Sequence, residues 1–421
     1  MTLLPSAVLL CVPFVYASLS SLNNTSPHIL DASNCPSCNT RSLWDILLSC
    51  GLTLFACTWT AVHPNIPGMD EGKIAITSRR LFIMAMALIA PELMITWATR
   101  QFFSARWTIT HGFFAWMGGF MLYVDGMPRA TLTPDELLEF VRRGSVDMPV
   151  ITEAEMEDRS KGDGLSKGIA ILQLVWFVAQ LVARYIQNLP ITLLEIDTLA
   201  VAALTCIPYA LWWKKPKDVG RPYIVHLKAT AAPPGQLRYE KFSHISRSYY
   251  RRIRGHIIYP FVCLMGIAVD PSPRAARSRR VPSLGGYDRG FVFKFDHNGG
   301  PLTRYRVGKI VLLIGCFSGM VFGGIHCLGW NHFSTAMQST LWRTTSLLVI
   351  CAPVVISLDT LSFMHRRRPL MMIFGFLPGH IAALIYITAR ITLIVLIILS
   401  LQSLPTGVYD TVAWTRFIPH L

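Results

Sequence analysis

Residues 381–401, IAALIYITARITLIVLIILSL, carry one charged side chain, Arg390, in a stretch long enough to cross a bilayer. A run of about 20 apolar residues is solvated only by lipid or by other helices, and a helix satisfies its own backbone donors and acceptors in hydrocarbon. Working outward from it, stretches of the same kind fall at 44–63, 81–101, 107–124, 168–187, 193–213, 309–329 and 344–364. The sequence therefore predicts an all-α, polytopic transmembrane helix bundle of about eight spans, with five in 44–213 and three in 309–401.

Composition points the same way. Of 421 residues, 52% are hydrophobic and 15% charged, with a mean hydropathy of +0.42, which leaves too little polar surface for a soluble fold of this size. The formal charge of +15 would suit a nucleic-acid partner if it lay on one compact face. Here the cations sit in loops beside spans, so the charge reports topology, and the expected partner is the lipid bilayer.

Residues 1–20, MTLLPSAVLLCVPFVYASLS, have the short apolar core and small-residue end of a secretory signal, without its positive start. Cleavage near Ser18 or Ser20 and retention as an anchor both stay open. Residues 21–43 then form a lumenal segment with glycosylation sequons at Asn23 and Asn24 and the pair Cys35 and Cys38. Without a βαβ unit nearby, that pair reads as a local disulfide rather than a redox centre. Such a segment places the protein in the endoplasmic reticulum or a later secretory compartment.

Cationic loops stay cytosolic. Lys73, Arg79 and Arg80, then Lys214, Lys215 and Lys217, then Arg366 to Arg368, all fall on one predicted side. The basic loop 214–308 is expected there, against anionic lipid headgroups, each cation near the surface adding about 1 kcal/mol. Within it, the apolar segment 257–269 is too short for an ordinary crossing and reads as re-entrant or interfacial. A second cytosolic loop, 125–166, contains a helix start at Thr133-Pro134 and a mixed stretch in which Arg159, Lys161 and Lys167 could clamp a phosphate or simply face water. The tail 402–421 is lumenal.

Ionisable groups at membrane depth cost at least about 2.5 kcal/mol and are functional candidates by default. Glu92, in Ala90-Pro91-Glu92-Leu93, is the clearest, because Pro91 also frees a backbone carbonyl for a partner; a buried pair with Arg390 is its structural reading. Glu195 and Asp197 open the fifth span, where capping accounts for Glu195 and leaves Asp197 the better catalytic candidate. His111 is placed about one turn from the lumenal boundary, with hydrogen-bonded packing as its plainer role. Asp359 lies nearer the cytosol, with Arg366 or Arg367 as partners. Trp116 and Trp176 fall deep enough to line a substrate cavity, or to pack helices, whereas Trp212-Trp213-Lys214-Lys215 reads as an interfacial belt. No metal-ligand spacing, P-loop, GxSxG or diphosphate motif occurs, so no metal or cofactor is expected.

The stretches RSLWDILLSCGLTLFACTWTAVHPNIP, THGFFAWMGGF, DRSKGDGLSKG, LWWKKPKDV, GGIHCLGWN and SLPTGVYDTVAWTRFIPHL resemble a group of multi-pass membrane proteins of filamentous fungi whose activity is mostly unassigned. In size, span number and lack of diphosphate motifs the chain is also similar to the integral membrane terpene cyclases of fungal meroterpenoid pathways, although no catalytic motif of theirs matches residue by residue. That likeness implies an enzyme of secondary metabolism that protonates a lipophilic prenylated substrate. A carboxyl group enclosed in an apolar cavity keeps its proton near neutrality and suits that task. The expected catalytic residues are Glu92, Asp197 and His111, with Trp116, Trp176 and Arg390 against the substrate. The rival expectation is a non-enzymatic transporter or scaffold.

Overall fold

The computed structural model describes residues 40–69, 71–104, 109–132, 134–160, 164–229, 301–333, 335–365 and 377–413. The signal, the sequons at Asn23 and Asn24, the Cys35 and Cys38 pair, Thr133, Lys161, segment 257–269 and Arg366 to Arg368 lie outside them. In chain order the elements are helices α1 (Leu43–Ala61), α2 (Lys73–Ile89), α3 (Pro91–Ser104) and α4 (Ile109–Trp116), then strands β1 (Phe120–Val124) and β2 (Met127–Thr131). There follow α5 (Pro134–Arg142), α6 (Glu153–Arg159), α7 (Gly164–Ile186), α8 (Leu193–Leu211), strand β3 (Tyr223–His226), α9 (Pro301–His326), α10 (Ala336–His365) and α11 (Leu377–Ser400).

Among the described residues, six helices are long and apolar enough to cross a membrane: α1, α7, α8, α9, α10 and α11. The protein is an integral membrane protein. Several helix starts are written locally. At α1, Ser42 Oγ accepts from Asp45 N–H while the Asp45 carboxylate accepts from Ser42 N–H, and Thr152 with Glu155 and Thr192 with Glu195 repeat that reciprocal cap at α6 and α8. Each cap satisfies donors the helix cannot, worth about 1 kcal/mol.

Two of the expected spans do not form single membrane-length helices among the described residues. The stretch 81–101 is broken at Ala90, whose φ of −145° and ψ of 70° leave the helical region, and the path from α2 into α3 bends there by 113°. Pro91 supplies the cause, since it has no N–H to donate and its ring clashes with the carbonyl four residues earlier. Both outer arms return to one end of the bundle. On α2, Arg80 pairs with Asp218 at 2.7 Å and donates to Trp59 O, just past the end of α8 and near the end of α1. On α3, Gln101 accepts from Lys215 Nζ at 2.9 Å in the same neighbourhood.

The stretch 107–124 is apolar for a different reason. It holds the eight-residue α4, a turn with Gly118 at φ 93°, and β1, and it fills the core of a layer outside the bundle. Asp125 and Gly126, both at positive φ, turn β1 back into antiparallel β2, the two-residue arrangement favoured by Asp-Gly. β3, which follows α8, pairs with β1 in parallel and gives the order β2-β1-β3. Phe114, Met117, Phe120, Leu122, Leu132, Leu137, Ile151, Met156 and Val225 pack into one core there. The bundle is thus helical, with a small mixed sheet beside it. Arg80 and Lys217 meet at one end, both donating to Trp59 O, and Lys215 lies beside them with bonds to His63 O and Gln101.

The opposite end is closed by Arg184 near the end of α7, buried, donating to the carbonyls of Pro190, Val408 and Asp410. In the bundle interior, α9 packs tightly through Gly315, Gly319 and Gly323. A Cβ on Gly323 would sit 2.6 Å from Ile350 Cγ1 and 3.0 Å from both Ile350 N and Ser346 O of α10. Small residues at such spacing let helix backbones approach where lipid gives no hydrophobic drive.

Candidate functional site

The helix break carries the first group of buried polar side chains. Pro91 leaves the carbonyls at the end of α2 without helical partners, and Arg390 of α11 supplies them: Nε and Nη2 donate to Ile89 O at 2.8 and 2.6 Å, and Nη2 also to Leu88 O at 3.2 Å. The guanidinium stacks over the Phe322 ring of α9 at 3.7 Å. Its partner is therefore backbone, where the sequence suggested the Glu92 carboxylate. Glu92, in the first turn of α3 and 7% exposed, accepts from Tyr386 Oη at 2.7 Å through Oε1. Its Oε2 and Arg390 Nη1 are buried without a hydrogen-bond partner. One carboxyl oxygen is held, and the other is bare.

A second group lies nearer the end away from the basic clusters. Asp197 Oδ1 is 3.1 Å from His326 Nε2 of α9, and Nδ1 of the same ring is 2.8 Å from Phe322 O. Phe322 joins the two groups, since its ring lies under Arg390 and 4.5 Å from the His326 ring. Glu195 caps α8 through Thr192, as its position implied.

The third group is at the basic end, where the belt reading of Trp212 to Lys215 divides. Trp213 is exposed and has Lys167 Nζ 4.7 Å from its ring, as a belt residue should. Trp212 and Lys215 are buried. Lys215 Nζ donates to His63 O at 2.5 Å, Gln101 Oε1 at 2.9 Å and Asn65 Oδ1 at 3.4 Å, between the rings of Trp97 and Trp212. Burial pushes its pKa well below the ordinary lysine range, against oxygen acceptors that carry no full negative charge. Burial, and then the nearby Lys217 charge, likewise hold His63 well below the usual histidine value, so its ring is neutral near neutrality. Lys215 thus ties the ends of α1, α3 and α8 together, with Lys217 Nζ adding bonds to Trp59 O and Thr60 O.

The other expected residues fall elsewhere. His111 is on α4, where Nε2 lies 2.8 Å from Ile151 O and Nδ1 3.9 Å from Glu153, so it belongs to the layer outside the bundle. The stretch 107–124 that carries it is a short helix, a turn and a strand, not the long helix expected. Trp116 ends the same short helix and is half-buried. Trp176 is 42% exposed on membrane-length α7, which turns it outward instead of toward an enclosed cavity. Asp359 accepts from Gly379 N–H at 3.2 Å. Arg159 and Lys167 lie over different rings, Tyr223 and Trp213. The sequence reading missed Tyr386, although it stands four residues before Arg390 and so on the same helix face. It also missed the roles of His326, His63 and Lys215.

Fold and site together define an integral membrane helix bundle with a broken helix pair and buried ionisable groups. The chain belongs to a family of unknown function, DUF8562, which matches residues 10–110 and 104–232, together just over half of its length. No curated protein and no solved structure matches it. The matched part holds Glu92, Asp197, His63 and Lys215, whereas Tyr386, Arg390 and His326 come from helices beyond it.

Proposed function

We propose that the protein is a membrane-embedded enzyme of fungal secondary metabolism, a terpene cyclase that starts its reaction by protonating a lipophilic prenylated substrate, with Glu92 as the acid. The observation that carries this reading is the asymmetry of the carboxyl group: Oε1 is fixed by Tyr386 at 2.7 Å, and Oε2 is buried with no protein partner. An acid oriented through one oxygen has its other oxygen available for the transferable proton. In the step proposed, the Oε2–H bond breaks as the proton passes to an epoxide oxygen or an olefin carbon. The carboxylate left behind faces the charge of Arg390, which stabilises it. Asp197 remains the second acid candidate. The signal, glycosylation at Asn23 and Asn24, and residence in the endoplasmic reticulum belong to this reading, as does a cytosolic basic loop against anionic headgroups.

The test is turnover of a prenylated epoxide by microsomes carrying Glu92→Gln or Asp197→Asn. Loss of turnover with Glu92→Gln at normal protein level supports the cyclase, and unchanged turnover in both variants removes it.

One observation favours a second reading, a proton-coupled transporter: the helix pair is broken with a buried acid at the break, and broken helices with an acid are a recurrent way to build a transport site. Proton-coupled flux in reconstituted vesicles, abolished by Glu92→Gln, separates transport from cyclisation.

A further inference from the structure

His326 stands at the last turn of α9, fully buried, with both ring nitrogens engaged. Nδ1 lies 2.8 Å from Phe322 O, and Nε2 lies 3.1 Å from Asp197 Oδ1. A carbonyl oxygen can only accept, so Nδ1 carries a hydrogen. The second contact then bonds only if a proton lies in it, because a bare imidazole nitrogen and a carboxylate are both acceptors and repel.

We infer that Asp197 and His326 form a proton-binding site that keeps one proton between Oδ1 and Nε2. The proton is held either as a carboxylic acid donating to a neutral ring or as an imidazolium donating to a carboxylate, and passing from one to the other breaks the O–H bond as the N–H bond forms. The surroundings hold the ring for this. The Phe322 and Trp342 rings lie 4.5 and 5.7 Å from it, and Trp342 Nε1 donates to His326 O at 3.0 Å. The Asp197 side chain is 17% exposed, so the pair is not sealed off from its surroundings.

The other ionisable groups on the elements packed around the site are committed elsewhere or stand apart. Glu195 of α8 closes the cap at Thr192, and Arg343 of α10 bonds to Trp330 O and Asn331. Arg390 of α11 lies beyond the Phe322 ring, and Cys327, next in the chain, contacts Gly323 O. The inference does not depend on what Glu92 protonates.

Solid-state ¹⁵N NMR of the full-length protein, labelled on histidine and held in lipid vesicles, tests it, with His326 assigned by its loss in His326→Gln. The expected spectrum shows Nδ1 protonated and a hydrogen-bonded Nε2. In Asp197→Asn, whose amide can donate an N–H to Nε2 but has no acid proton to share, Nε2 is only an acceptor and its signal moves from the wild-type position. A ring with a bare Nδ1, or an Nε2 signal identical in wild type and Asp197→Asn, overturns the site. Should Asp197→Asn not fold, the wild-type pH series decides alone. One proton leaving Nε2 while Nδ1 keeps its own supports the site, and a ring that titrates at Nδ1 contradicts it.

Discussion

Arg390 of α11 closes the helix break before Pro91 by donating twice to the carbonyl oxygen of Ile89, at 2.8 and 2.6 Å. A fork of fixed donors thereby replaces the bonds that a proline removes, from a residue 301 positions away in the sequence.

Replacing Arg390 by leucine strands the carbonyls of Ile89 and Leu88 in an apolar surround, at about 1–3 kcal/mol each. Thermal unfolding in detergent should show a clear loss of stability for Arg390→Leu and a smaller one for Arg390→Lys, which keeps the charge and loses the fork. Equal stability of all three proteins would mean that Arg390 does not hold the break.

His63 gives the basic end an acid limit. Its folded pKa is held well below 6.5 by burial, so below that pH the unfolded chain binds a proton that the folded chain does not. The stability from its neutral, buried ring is therefore complete above about 6.5 and declines as the pH falls toward the folded value. His63→Gln should flatten the stability profile below pH 6.5, as followed by unfolding midpoints across a pH series.

Lys215 acts with the same sign at higher pH. Burial lowers its folded pKa well below 10.5, so between the two values the unfolded state binds the extra proton and stability rises with pH. Lys215→Met keeps the apolar stem, removes that rise, and leaves Gln101 Oε1 and His63 O without their donor. The variant is expected to be less stable at alkaline pH and to show no upward slope there.

Gly323 sets the distance between α9 and α10. Alanine there meets backbone atoms Ile350 N and Ser346 O at 3.0 Å, which cannot swing aside as a side-chain tip can. A loss of about 1–3 kcal/mol is expected for Gly323→Ala. Gly324, with open space around its Cβ position, should tolerate the same change with little effect on the melting temperature.

Much of this was legible in the chain. Length and apolarity mark the six long helices, and Glu195 at the start of α8 was readable as a cap from its place in the first turn. Pro91 and Glu92 stood out together because a proline and an acid are each costly where they lie. What stayed hidden was the use of apolar residues. Phe114, Phe120 and Leu122 are as hydrophobic as a span, yet they serve a folded layer, and only Gly118, Gly119 and the Asp125-Gly126 turn signal it. Pairings across distant helices, such as Asp197 with His326 or Glu92 with Tyr386, leave no mark in spacing at all.

The central claim is that the chain turns back at Pro91, so that α2 and the layer after α3 share one side of the membrane while Glu92 sits at the buried apex. Single cysteines at Ile74 and Val150, 87% and 84% exposed, introduced into a chain cleared of its 10 native cysteines, allow a direct reading with a membrane-impermeant thiol reagent in sealed vesicles. Both positions should react from the same side, with a cysteine at Gln402 reacting from the other. Labelling of Ile74 and Val150 from opposite sides would contradict the account, because the pair would then cross.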